Sequence, residues 1–155
     1  MKLAIGCDHG GFELKTALIG YLRGQGHEVT DFGCYDKSSI DYPDYVFPVA
    51  EAVVRGEFER GIVICSTGIG VSIAANKVKG VRCALLTDEF SARLTREHND
   101  ANMVAFGGFV TTVERAQSIL DIWLNTEFSH GERHQRRIDK ISKYEETHSL
   151  NPNKK

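Results

Sequence analysis

The run Cys65-Ser66-Thr67-Gly68-Ile69-Gly70 places a thiol, two hydroxyls and two glycines between an apolar segment, Gly61 to Cys65, and the start of a helix. Glycines in such a turn let backbone amides face a ligand, and the positive end of the helix favours negative charge beside it. The thiolate is the reactive form of cysteine, and the same field favours it. The turn therefore suits a reactive thiol next to an oxyanion or a phosphate. Read alone, it equally fits a tight strand-to-helix turn with no ligand. Three better-known loops fit poorly. A dinucleotide fingerprint needs a small residue where this chain has Ile73. A Walker A loop needs Gly-Lys followed by Ser or Thr, which does not occur. A cysteine phosphatase would need arginine at Val71.

Other polar groups qualify for chemistry. Asp8 and His9 follow the first apolar segment, where an aspartate serves either as a helix cap or as part of a ligand site. His98, in Glu97-His98-Asn99-Asp100, is a general acid or base near neutral pH, or a helix-end histidine interacting with the dipole. Arg133 and Arg137 share one helix face, and two guanidinium forks on one face suit a phosphate dianion as well as solvent. The histidines show no H-E-x-x-H or other metal spacing, so no metal is expected.

These groups must be positioned by regular elements. Strands are predicted over Leu3–Cys7, Glu28–Phe32, Gly61–Cys65, Arg82–Leu86 and Asn102–Phe106. Helices are predicted over Phe12–Leu22, from the Pro43 and Pro48 region to Val54, over Val71–Val78, after a cap at Asp88, over Thr112–Leu124 and over Glu132–Thr147. Ile62-Val63-Ile64 is apolar on both faces, as a central parallel strand requires. Strands alternating with helices imply an α/β fold with a mainly parallel five-stranded sheet, helices on both faces and a C-terminal helix. In such sheets ligands bind at the carboxyl ends of the strands, where Asp8-His9, Cys65 to Gly70 and Gly107-Gly108 fall.

The whole chain sets further bounds. Its 155 residues, 41% hydrophobic and 26% charged, fit one domain over residues 1–150 with a frayed tail over 151–155. The net charge of -2 gives no field for nucleic acid or a membrane surface. No apolar run approaches the roughly 20 residues that span a bilayer, and no signal peptide opens the chain, so a cytoplasmic location is expected. Cys7, Cys34, Cys65 and Cys83 match no disulfide or zinc pattern and read as free thiols, with Cys7 and Cys83 as small buried hydrophobes.

Taken together, the segments resemble the ribose-5-phosphate isomerase B and galactose-6-phosphate isomerase family, from about Lys2 to Ile141. The matching pieces are Gly6 to Phe12, Asp41-Tyr42-Pro43, Cys65 to Gly70, Ser72 to Lys77, His98 to Asn102 and Gly131 to Ile138. The resemblance implies a Rossmann-like three-layer sandwich, a homodimer or tetramer with shared active sites, a sugar-phosphate substrate and no cofactor. It implies that Cys65 is the base that moves a proton between carbons. Thr67 and the amides of Gly68, Ile69 and Gly70 would hold the enediolate, and His98, with Asp8 or Thr67 assisting, would open the sugar ring. Asn99 would bind sugar hydroxyls, His9, Arg133 and Arg137 the phosphate, and Tyr42 would lie beside the sugar.

Two positions depart from the family pattern. Ser66 stands where glycine is common, adding a hydroxyl to the pocket, and Phe109 stands where ribose-5-phosphate members commonly carry a phosphate-binding arginine. The expected reaction is interconversion of ribose 5-phosphate and ribulose 5-phosphate. The alternatives are isomerisation of another sugar phosphate, a hexose 6-phosphate or a tetrulose phosphate, or a non-catalytic sugar-phosphate-binding subunit.

Overall fold

The computed structural model describes residues 1–148, so the tail expected to fray, 151–155, lies outside the described residues. Five strands form the sheet: β1 (Lys2–Cys7), β2 (Glu28–Asp31), β3 (Arg60–Cys65), β4 (Cys83–Leu85) and β5 (Met103–Gly107). Around them lie α1 (Phe12–Gly24), α2 (Pro43–Val54), α3 (Ile69–Ala75), α4 (Glu89–Asn99), α5 (Val113–Asn125) and α6 (Glu132–Thr147). The strand order is β2-β1-β3-β5-β4, and every pairing is parallel.

Alternation along the strands builds two cores. Leu3, Ile5, Ile62, Ile64, Val104 and Phe106 point to one face, against Leu14, Leu18 and Leu22 of α1 and Ile119, Leu120 and Trp123 of α5. Ala4, Val63, Cys65, Met103 and Ala105 point to the other, against Val46, Val49 and Ala50 of α2 and Val71 and Ala75 of α3. Because β1, β3 and β5 are covered on both faces, they read as continuous apolar runs. Among the described residues, no helix is long and apolar enough to cross a membrane.

Several boundaries differ from expectation, for reasons that lie in side-chain partners. The third helix begins at Ile69 rather than Val71, because Gly68 takes a left-handed conformation (φ 78°) that starts the turn early. It ends at Ala75 rather than Val78. Asn76 donates from Nδ2 to Cys83 O at 2.8 Å and accepts from Cys83 N–H at 2.9 Å, so it ties the helix end to β4. The fourth and fifth strands each start one residue late. Arg82 N–H donates to the Asn102 side chain at 2.8 Å, and Asn102 Nδ2 donates to Gly80 O, so the Arg82 amide bonds outside the ladder although the Arg82 and Asn102 carbonyls still accept from Met103 and Gly61 N–H. Pro48 lies inside α2 rather than at its entry, at the cost of one helical hydrogen bond.

Lys15 carries an unexpected structural role. Its side chain is 1% exposed, and Nζ donates to both carboxylate oxygens of Asp31 at 2.7 Å and to Cys34 O at 2.5 Å. This anchors the start of the loop that runs from β2 to α2. Lys15→Met is expected to cost roughly 3 kcal/mol, since it leaves a carboxylate and a buried carbonyl without their cation. Chemical denaturation measures this, and a loss below about 1 kcal/mol would show the pair to be incidental.

Candidate active site

The chain reverses direction between β1 and β3. From β1 it winds outward to β2, then crosses back to β3 on the other side of β1. The crevice outside the carboxyl ends at such a switch point is where doubly wound sheets bind ligands. Asp8-His9 leaves β1 there, and Cys65 ends β3. Cys65 is buried, 5% exposed, and its Sγ accepts a hydrogen bond from Gly68 N–H at 3.2 Å. That amide is aimed at the atom that bears charge once the thiol gives up its proton. Burial pushes the Cys7 and Cys83 thiols up, Cys83 to about 12, which keeps them protonated. Cys83 is only partly buried, although a buried hydrophobe was expected there.

Three loops close on Cys65. Gly108 N–H donates to Cys65 O at 2.7 Å and Phe109 N–H to Ser66 O at 3.0 Å. A Cβ on Gly108 would lie 2.3 Å from Gly10 O, so only glycine permits this approach. Ser66 is half-buried, and its hydroxyl faces Gly10. Thr67 is exposed, with Oγ1 accepting from Ile69 N–H at 3.4 Å. The Tyr42 ring lies over Gly70, where a Cβ would come within 2.8 Å of Cζ. The first-turn amides of α3, including those of Ile69 and Gly70, are ones a helix leaves without an internal partner.

Asp8 is buried, and its Oδ1 accepts from Gly10 N–H at 2.9 Å and Gly11 N–H at 3.1 Å. The carboxylate thus caps the turn His9–Gly11. His9 is exposed, with Nδ1 accepting from Ile40 N–H at 3.4 Å. It lines a cavity of about 330 Å³ together with Gly10, Glu13, Lys37, Gly108 and Phe109.

His98, Asn99, Arg133 and Arg137 are not at this crevice. Cys65 pairs with Gly107 at the carboxyl end of β5, whereas Asn99 ends α4 before β5 begins at Met103. Five residues of strand separate the two ends of the sheet by about 13 Å. At the amino end, Asn99 and Arg137 line a cavity of about 350 Å³. The turn there is fixed by Arg96, which is buried and reaches Asp100 Oδ1 at 2.7 Å and Ala101 O at 2.7 Å. Within one chain the expected site residues therefore form two groups at opposite ends of the sheet.

His134, which sequence reasoning did not single out for the site, stacks on His98 with centroids 4.1 Å apart and rings within 7° of parallel. Arg133 Nε donates to its Nε2 at 3.3 Å. Burial first, then the neighbouring His98, Arg133 and Arg137, hold its imidazole below the usual histidine value. His27 is lowered too, by burial and the terminal amine. Both rings are thus neutral in the fold at pH values where the unfolded chain, near pKa 6.5, binds protons. Stability is therefore expected to fall as pH drops below about 6.5. Thermal melts from pH 7 to 5 should show a smaller fall for His134→Gln than for wild type, and identical falls would contradict this.

A doubly wound α/β sheet with a thiol and a cavity lined by His9, Glu13 and Lys37 at its switch point defines a small-molecule enzyme of the Rossmann-like type. Residues 3–141 match the family model described as Ribose/Galactose Isomerase, and the chain belongs to that family. It is 46% identical over 145 residues to ribose-5-phosphate isomerase B of Escherichia coli, covering 94% of this chain and 97% of that one. Among solved structures, ribose-5-phosphate isomerase B of Clostridium thermocellum superposes with a TM-score of 0.94 at 51% identity, covering 96% of this chain and all of that one. The Mycoplasma genitalium enzyme with bound ribulose-5-phosphate superposes with a TM-score of 0.89 at 41% identity, covering 94% and 97%.

Proposed function

We propose that the protein interconverts ribose 5-phosphate and ribulose 5-phosphate through an enediolate, with Cys65 as the base. The observation that carries the reading is the buried Cys65 thiol at the switch-point crevice, held on the Gly68 amide. The kinship with ribose-5-phosphate isomerases B supports the sugar.

In the open-chain aldose, Sγ takes the proton from C2. The electron pair of that bond forms C1=C2, and the carbonyl oxygen takes the negative charge. Return of the proton to C1, with a proton passed between O1 and O2, gives the ketose. Thr67 and the amides of Gly68, Ile69 and Gly70 hold the oxyanion, and each such donor is worth on the order of 3 kcal/mol. Tyr42 and Ser66 wall the sugar. Asp8, whose Oδ1 is committed to two amides, shapes the turn that presents His9 to the phosphate. Phosphate binding is remote from the reacting carbons and positions them.

Ring opening needs an acid and a base, and the reading gives that role to His98 with Asp8 or Thr67 assisting, while His98 lies at the other end of the sheet from Cys65. The reading therefore takes His98 and Asn99, with Arg133 and Arg137 as phosphate ligands, from a second copy of the chain. The separation of the two groups by the length of β5 supports a site shared across a homodimer. His134, stacked on His98, would hold that imidazole in position.

A second reading, isomerisation of a different sugar phosphate, is favoured by the uncharged, 78% exposed Phe109 at the cavity beside His9. A panel of ribose 5-phosphate, hexose 6-phosphates and tetrulose phosphates separates the two. The first reading expects ribose 5-phosphate to have the highest kcat/KM. A hexose 6-phosphate turned over faster would establish the second.

A further inference from the structure

The cavity beside His9 raises a question of charge. Its lining residues are His9, Gly10, Glu13, Lys37, Gly108 and Phe109. Among the described residues, a phosphate dianion seated there meets one permanent cation of this chain, Lys37, and one anion, Glu13. Phe109 offers a ring and no charge. The two charged side chains are paired, with Lys37 Nζ 2.5 Å from Glu13 Oε1, and both are well exposed, 64% and 81%. Lys37 holds the Glu13 carboxyl below the usual value through that hydrogen bond and its charge.

The loop bearing Lys37 is tied to the site at both ends. Lys15 Nζ binds Cys34 O on one side. On the other, Ile40 N–H donates to His9 Nδ1. Between them Asp36 accepts from Ser38 N–H at 2.8 Å. The ammonium is thus carried on a braced loop at the rim of the same cavity as His9. An exposed ion pair of this kind contributes little to stability, at most about 1 kcal/mol. Exchanging one carboxylate for a doubly charged phosphate is therefore feasible for Lys37.

We propose that Lys37 is a substrate-specificity residue: it supplies the phosphate-binding cation on this chain's side of the site, and Glu13 holds it while the site is empty. This rests on the reading that His9 faces the phosphate. Glu13 then competes with phosphate for the same ammonium. The two members of the pair have opposite effects on binding, which a mere loop staple would not produce.

The test is binding of inorganic phosphate to the purified full chain by calorimetry at low ionic strength, alongside steady-state kinetics on ribose 5-phosphate. Lys37→Met is expected to weaken phosphate about tenfold, the loss of one charge-assisted hydrogen bond. Glu13→Gln is expected to tighten it, and Lys37→Arg to leave it near wild type. Phe109→Arg placed in the Lys37→Met background is expected to restore binding. In kinetics, Lys37→Met should raise KM for ribose 5-phosphate with a much smaller change in kcat. Phosphate affinity equal in wild type and Lys37→Met, no measurable binding by wild type, or weakening by both single variants, would overturn the proposal. Normal turnover of ribose 5-phosphate with no effect of Lys37→Met would sink this inference and leave the isomerase reading standing. Lys37-dependent phosphate binding without turnover would do the reverse.

Discussion

Cys65→Ala is expected to lower kcat for ribose 5-phosphate by about 10²–10⁴-fold, the usual contribution of a positioned proton-transfer group. Phosphate affinity should stay near wild type, because the cavity beside His9 does not include Cys65. The substitution removes one buried sulfur and its contact with Gly68 N–H, so the fold should lose only about 1 kcal/mol. Cys7 and Cys83 provide the control. Their thiols are held protonated by burial, and Cys83→Ala should leave kcat within a small factor of wild type. A Cys65→Ala enzyme with undiminished kcat would remove Cys65 from the chemistry.

The second large effect is a recovery of activity. Cys65→Ala and His98→Asn should each be nearly inactive alone. If each site takes Cys65 from one copy and His98 from another, unfolding and refolding the two variants together at equal concentration forms mixed dimers. Half of all dimers are mixed, and each mixed dimer holds one intact site and one doubly altered site, so about a quarter of wild-type activity returns. If each chain supplied a whole site, every site would still lack one group, and mixing would restore nothing. The expectation follows from the fold: Cys65 lies at the carboxyl end of β3, and His98 and Asn99 end α4, a short turn before the amino end of β5.

Much of the fold was legible because the hydrophobic pattern alone specifies it. Ile62-Val63-Ile64 reads as a strand covered on both faces, and it sits at the centre of the sheet, buried. The boundaries that shifted were set by partners distant in sequence. Asn76 and Asn102 end or delay elements by bonding to Cys83, Gly80 and Arg82, and an asparagine's partner has no local signature. Lys15 illustrates the same limit. A lysine on an amphipathic helix reads as solvated, and only the closing of the β2–α2 loop over it shows it buried against Asp31.

The site was legible in part. Cys65 to Gly70 stood out because thiol, glycines and a helix start coincide, and Asp8-His9 because they end a strand. An aspartate after a strand reads either as a cap or as a ligand group, and the bonds to Gly10 and Gly11 establish the capping role of Asp8. What residue types and spacing do not carry is the end of the sheet on which each group falls. His98, Asn99, Arg133 and Arg137 came to the site through the resemblance, which already implied active sites shared between copies, and the topology puts them at the other end of the sheet. His134 lies in the matching piece Gly131 to Ile138, but its stacking on His98 depends on how α6 crosses α4. The spacing of Arg96 and Asp100, four apart on one helix, was the signal available for the ion pair that shapes this end.

The most direct test of the central claim is isomerisation run to equilibrium in deuterated water, with the sugars analysed for deuterium. Proton transfer through Cys65 predicts deuterium at C1 of ribulose 5-phosphate and at C2 of ribose 5-phosphate with wild type, and essentially no product or label with Cys65→Ala. Product formed over many turnovers with no deuterium in either sugar would contradict it, as would equal labelling by Cys65→Ala.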